Sequence, residues 1–284
     1  MHRHDQLECV KGQIAFTQRS AHEDAPIVDG ESVGTSTNKL PQVLYDVTIR
    51  NARPIVGDLS LDREGFTLVS HRLACLDEED PEVLRSKYLD DMVPFIKDYF
   101  KASWVVPRRA GVIIRNPGGT LFRPEAGKAE HKLVARKVAG HAHLDYSPVA
   151  GPMLAALEDQ IQGLPVRTCS RLMIIQAWQV LSPPPQDMPL AICDGASVLD
   201  TDLVQEVYDQ GGLKHYKWAL HHNPRQRWYY FPEMTRDEFI LFKGYDSIEQ
   251  CNARAAHSAF DNRRAFPHAH PRASIETRYC VYFD

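Results

Sequence analysis

The sequence predicts a mainly β fold, a sandwich or barrel with supporting helices, and three observations lead there. Apolar runs of strand length recur along the chain at irregular spacing. They do not alternate regularly with helical segments, which argues against a doubly wound sheet or a TIM barrel. The 19 prolines fall mostly in connections, as at Pro183-Pro184-Pro185, where they suit the loops of a β fold.

Residues 1–40 are polar and end in Asp29-Gly30-Glu31-Ser32-Val33-Gly34-Thr35-Ser36-Thr37-Asn38, which reads as a flexible arm before one domain over 41–284. Val43–Ile49 is the first expected strand and Gly65–His71 the second. The run Glu82–Phe100 carries apolar residues at helical spacing, with Pro94 expected to kink or divide it. Asp77-Glu78-Glu79-Asp80 reads as a solvated loop whose charge suits that helix's N-terminus. Strands are then expected at Trp104–Val106, Gly111–Arg115 and Leu172–Val180, with a short helix over Met153–Ile161. Further strands are expected at Trp218–His222, Trp228–Phe231, Glu238–Phe242 and Ser274–Phe283, with Asp246-Ser247 capping a turn or helix.

Composition narrows the function. The 284 residues are 43% hydrophobic and 25% charged, enough for one large soluble domain with a sizeable core. A net charge of -4 gives no basic footprint for nucleic acid. No apolar run approaches the ~20 residues that span a bilayer. The N-terminus lacks the apolar core of a signal peptide, so the expected location is the cytoplasm. Cys9, Cys75, Cys169, Cys193, Cys251 and Cys280 form no CxxC pair and are expected to be reduced.

The most informative segment is Gly140-His141-Ala142-His143-Leu144-Asp145-Tyr146-Ser147. An H-x-D on a strand projects imidazole and carboxylate from one face, because the strand repeats every two residues. They would make two corners of a metal site, and a distal histidine would complete a facial triad for non-haem Fe(II). His257 is that candidate. Beyond it, Arg272 and Ser274 fall on one face of the last expected strand, together with Glu276 and Arg278. A guanidinium and a hydroxyl suit a dicarboxylate, since arginine grips a carboxylate through two parallel bonds. H-x-D, a distal His and then R-x-S in that order is the arrangement of an Fe(II)/2-oxoglutarate-dependent oxygenase. His141 is expected to face the strand entry or solvent. His221-His222 and His268-x-His270 are read as solvated or satisfied rather than as a second metal site.

From about Val43 to Phe283 the chain resembles the AsaB-like fungal hydroxylase/desaturases, a group with gibberellin desaturase-like proteins and the cephamycin 7α-hydroxylase component. The resemblance is carried by Gly65–His71, His143–Ser147, Pro189–Asp194, Arg227–Met234, Phe242–Ser247 and Pro271–Arg278. It implies a double-stranded β-helix (jelly-roll, cupin-like) core and an enzyme using Fe(II), 2-oxoglutarate and O2. It also implies His143, Asp145 and His257 as metal ligands, with Arg272 and Ser274 on the cosubstrate. The implied substrate is a small-molecule natural product that is hydroxylated, desaturated or oxidatively rearranged. Gln176, Trp178, Trp228 and Tyr230 are expected near the substrate pocket.

Three positions depart from the family pattern. Gln179 replaces a usual Arg, Gln226 a usual His, and Ala256 a usual Pro. The two glutamines are expected to reshape the substrate pocket, and they leave a non-catalytic ligand-binding jelly roll as an alternative. A zinc hydrolase on the same triad is a further alternative, although it gives Arg272 and Ser274 no task. The sequence does not separate a monomer from a homodimer.

Overall fold

The fold follows from strands that each carry two different faces. The computed structural model describes residues 6–19, 40–108, 112–117, 120–124, 131–135, 140–210, 213–251 and 254–284. In chain order the strands are β1 (Cys9–Thr17), β2 (Gln42–Asn51), β3 (Phe66–Ser70), β4 (Trp104–Pro107), β5 (Ile113–Arg115), β6 (Thr120–Pro124), β7 (His131–Ala135) and β8 (His143–Leu144). They continue with β9 (Arg171–Val180), β10 (Leu190–Cys193), β11 (Leu203–Gln210), β12 (Leu213–Leu220), β13 (Trp228–Tyr230), β14 (Glu238–Asp246), β15 (His257–Ala259) and β16 (Ser274–Phe283). The helices are α1 (Pro81–Phe100) and α2 (Ala150–Ile161).

Two sheets result. The first runs β1-β2-β13-β10-β15-β8-β12-β11, and the second β3-β14-β9-β16-β5-β6-β7, with β4 also on β16. Among the described residues these strands pair antiparallel except for β13 with β2, and isolated bridges such as Ala15 to His141 are parallel. Strands distant in sequence alternate across facing sheets, and the architecture is the jelly roll that the sequence suggested.

The long central strands β9 and β16 pair in register from Ser274↔Val180 to Phe283↔Arg171. Alternate residues therefore point to opposite sides. Outward, Met173, Ile175, Ala177, Ile275, Tyr279 and Val281 pack with Leu84, Tyr88, Leu89, Met92 and Ile96 of α1. Those helix residues fall one, three or four positions apart, which makes one apolar stripe. Asp80 caps α1 by accepting from the backbone N–H groups of Glu82 (2.8 Å) and Val83 (3.3 Å). Pro94 does not divide the helix, which is continuous from Pro81 to Phe100. Its ring is exposed, so the carbonyl it leaves unpaired can turn to water.

Inward, the lower halves of the same strands present Leu172, Ile174, Cys280 and Tyr282, and α2 covers them with Leu154 and Ala155. That packing plugs one end of the space between the sheets. Gly244 lies at the bulge of β14, where a β-carbon would meet the Tyr146 ring at 2.6 Å. The upper halves turn into the site described below.

The expected strands and helices are present, with shifted ends. The arm expected over 1–40 requires correction at its start: Cys9–Thr17 is β1, paired along its whole length with β2. Its alternation brings Ile14 and Phe16 into the core while Lys11 and Gln13 stay exposed. Residues 20–39 lie outside the described residues. Strands β10, β11 and β15 were not expected, being short or interrupted by polar residues. The six cysteines are all unpaired.

Candidate active site between the sheets

The centre of the first sheet brings two histidines face to face. His143 on β8 pairs directly with His257 on β15, and their rings lie 4.4 Å apart. Asp145 follows just past the end of β8, so the H-x-D is a strand end rather than a full strand. Its Oδ1 is 3.5 Å from His143 Nε2. One nitrogen or oxygen from each of His143, Asp145 and His257 lies within 4.8 Å of the others, with both histidines buried. The sequence-predicted triad is thus assembled.

Neighbouring backbone sets the protonation of these rings. His143 Nδ1 donates to the His141 carbonyl at 2.9 Å, and His257 Nδ1 donates to the Ala255 carbonyl at 3.3 Å. A proton held on Nδ1 leaves Nε2 as the lone-pair donor, as a metal ligand requires. Burial, with His257 and His141 beside it, pushes His143 well below the usual imidazole range, so the ring is neutral. Burial alone would raise the Asp145 carboxyl, but the Arg278 guanidinium reverses this and holds it well below the usual carboxylate range. Two imidazoles that turn Nε2 to a common space and an ionised carboxylate, screened from water, are the donor set of a facial triad.

The second sheet supplies the opposing wall. Phe242 of β14 sets its ring against His257 at 4.9 Å. On β16, Arg278 Nη2 donates to Asp145 Oδ2 at 2.6 Å. Glu276 Oε1 accepts from Arg278 at 2.5 Å, and Gln176 Oε1 accepts at 3.2 Å. Arg272 stands just before β16, with Nη1 donating to the Met188 carbonyl at 2.8 Å and its guanidinium 5.6 Å over the Trp178 ring. Its Nε is buried and has no hydrogen-bond partner among the described residues. Burial, with Arg115 nearby, pulls Arg272 down to about 9, as expected for a cation short of negative charge. Ser274 is buried in the register of Arg278.

Gln176 and Trp178 therefore belong to this wall, whereas Trp228 and Tyr230 do not. Ile192 pairs with both His257 and Tyr229, and directly paired residues share a face. Tyr229 thus faces the site, and its neighbours Trp228 and Tyr230 face the other way. They pack with Phe16 (5.8 Å) and Phe260 (5.5 Å). The two glutamine departures also lie off the site. Gln179 sits on the outer face of β9 in register with Phe239 and Ile275, and its Nε2 donates to the Arg236 carbonyl. Gln226 donates to the His221 carbonyl at 3.0 Å and lies against Asp202.

His141 was expected to face the strand entry or solvent; instead its ring stacks on His143 at 4.6 Å. Burial and the Lys217 ammonium push it down to about 4. Lys217 itself pairs with Glu206 across β11 and β12 at 3.4 Å. Glu276 and Arg278 had been named as sharing Arg272's face, but without a task. Counting in twos from Arg272 was the available signal. Among the described residues a second group of possible ligands is Asp62, Asp246 and Cys251. Lys243 and Arg171 already neutralise it, Arg171 Nη2 reaching Asp246 at 2.5 Å.

The family described as an oxidoreductase/YMDC permease-like domain matches residues 14–282. No helix among the described residues is long and apolar enough to cross a membrane. The hydroxylase/desaturase efuI of Hormonema carpetanum is 29% identical over 255 residues, covering 84% of this chain and 83% of that protein. The alpha-ketoglutarate-dependent dioxygenase phiK of Fungal sp. is 30% identical over 233 residues, covering 80% of each. The Fe(II)/2-oxoglutarate-dependent dioxygenase nvfI of Aspergillus novofumigatus is 28% identical over 251 residues, covering 84% and 83%. Among solved structures, the iron and alpha-ketoglutarate-dependent endoperoxidase NvfI superposes with a TM-score of 0.77 at 24% identity. That likeness covers 97% of this chain and 98% of the other, and it bears on the fold.

Proposed function

The chain belongs to the family described as an oxidoreductase/YMDC permease-like domain, and from that premise we propose how its inter-sheet site is used. It is an Fe(II)/2-oxoglutarate-dependent dioxygenase of small-molecule secondary metabolism, like the relatives phiK, nvfI and tstK. In our reading His143, Asp145 and His257 hold Fe(II), and Arg272 with Ser274 holds the far carboxylate of 2-oxoglutarate. The observation that carries the reading is a buried two-histidine, one-carboxylate cluster within 4.8 Å.

Bound Fe(II) and 2-oxoglutarate supply the oxidising chemistry, with the cosubstrate decarboxylated to succinate as O2 is reduced. The protein's part is binding, orientation and exclusion of water. The carbonyls of His141 and Ala255 hold the Nδ1 protons, so that both Nε2 lone pairs face the same space. Arg272 offers an Nε donor with no partner among the described residues, which suits a carboxylate arriving beside it. Trp178 beneath it and Phe242 against His257 keep that end apolar and dry. α2 closes the opposite end. The substrate, a small-molecule natural product, enters by the side these groups leave open. We assign the enzyme to the cytosol, where unpaired cysteines stay reduced.

The test is succinate formation from 2-oxoglutarate with and without Fe(II). Turnover should require Fe(II) and fall to background in His143→Ala and His257→Ala. Equal turnover in those variants would contradict the ligand assignment.

A further inference from the structure

Resting on that ligand assignment, we infer that Arg278 is a positioning residue that limits Asp145 to one ligand oxygen. An arginine facing a carboxylate usually spreads two N–H groups over both oxygens. Here both converge on one: Nη2 at 2.6 Å and Nε at 3.2 Å donate to Asp145 Oδ2. The other oxygen, Oδ1, is left facing His143 Nε2 at 3.5 Å. The carboxylate is therefore divided between a protein cation and the space between the histidines.

The arginine is itself fixed from two sides. Glu276 Oε1 accepts from Nη2 at 2.5 Å and Gln176 Oε1 from Nε at 3.2 Å. These contacts come from the arginine's own strand and from the adjacent β9, whose Gln176 is its register partner. Arg278 is 9% exposed, so water cannot readily replace it. An arginine keeps its charge in a protein, and here its aim is set by the strand.

The consequence is a count of positions. An octahedral ion on three protein atoms keeps about three positions for other ligands. A carboxylate turned to give both oxygens would take one of them. By occupying Oδ2, Arg278 keeps the set at three, which lets a chelating cosubstrate bind and still leaves a place beside it. A role confined to neutralising buried carboxylates would set no such count. It would be met by any arrangement with the same net charge.

The experiment counts waters on Mn(II) bound to the cosubstrate-free full chain, by electron spin echo modulation in D2O. Arg278→Met removes the donor. Glu276→Gln/Arg278→Met removes it while keeping the net charge of the site, which protects folding and separates position from charge. Wild type should hold about three waters and both variants about two, as Asp145 turns both oxygens to the metal. About three waters in the variants would overturn the inference and leave the ligand assignment standing. So would loss of Mn(II) from a double variant with the wild-type near-UV spectrum. Failure of the wild type to bind Mn(II) would instead overturn the ligand assignment, and the inference with it.

Discussion

The two faces of the second sheet use the same strands for opposite purposes. Facing α1, Ile175, Ala177, Ile275 and Tyr279 alternate along β9 and β16 as a dry apolar core. Facing the other sheet, the residues between them are Gln176, Trp178, Ser274, Glu276 and Arg278. The first set stabilises by removing apolar area from water. The second buries charges whose desolvation costs about as much as their pairing returns. A wall so built adds little to stability, and its worth lies in what it binds. The comparison teaches that adjacent residues on one strand answer to different demands.

Three substitutions would break or sharpen this contrast. The largest effect is expected at Arg272→Gln, because a buried guanidinium facing a carboxylate is worth roughly 2–5 kcal/mol. The dissociation constant for 2-oxoglutarate should rise on the order of a hundredfold, read by anaerobic titration, with Mn(II) affinity unchanged. A loss of metal binding as well would mean the two walls do not divide their tasks. On the opposite face, Ile175→Val should cost about 1 kcal/mol of unfolding free energy in urea and leave 2-oxoglutarate affinity alone. A shift in cosubstrate affinity there would show that the faces are coupled.

The smallest effect is expected at the partly buried start of β14. Arg53 hydrogen-bonds Glu238 there (2.8 Å) and holds its carboxyl below the usual range, although partial burial opposes this. A lowered folded pKa gives stability that is present above the unfolded carboxylate pKa and is lost as pH falls through the folded value. Glu238→Gln should therefore flatten the acid side of the stability profile below about pH 4.5 and change little at neutral pH. An unchanged acid limb would show that this pair contributes nothing to stability.

What the sequence disclosed follows the same division. Apolar runs of strand length marked β9, β14 and β16, whose residues are buried on both faces. The triad was legible because its residue types are rare together and their order is specific. Where Trp228 and Tyr230 point is a matter of parity, for nothing local states which face of a three-residue strand turns inward. Its answer lies in the pairing of Ile192 with His257 and Tyr229, a long-range register. Strand β1 was hidden by its polar surroundings and is recognisable only through its partner β2. Gln179 and Gln226 could be seen as departures but not located, because location depends on which side of a sheet or turn they take. Arg278 was visible in the right register, yet its bond to Asp145 crosses from one sheet to the other.

The most direct test of the account is anaerobic addition of Fe(II) and then 2-oxoglutarate to the apoprotein, followed by the weak visible charge-transfer band of the chelate. The band should form in the wild type, be absent in His143→Ala, and in Arg272→Gln require about a hundredfold more 2-oxoglutarate. A wild-type protein that takes up Fe(II) no better than an unrelated control and develops no band would contradict it.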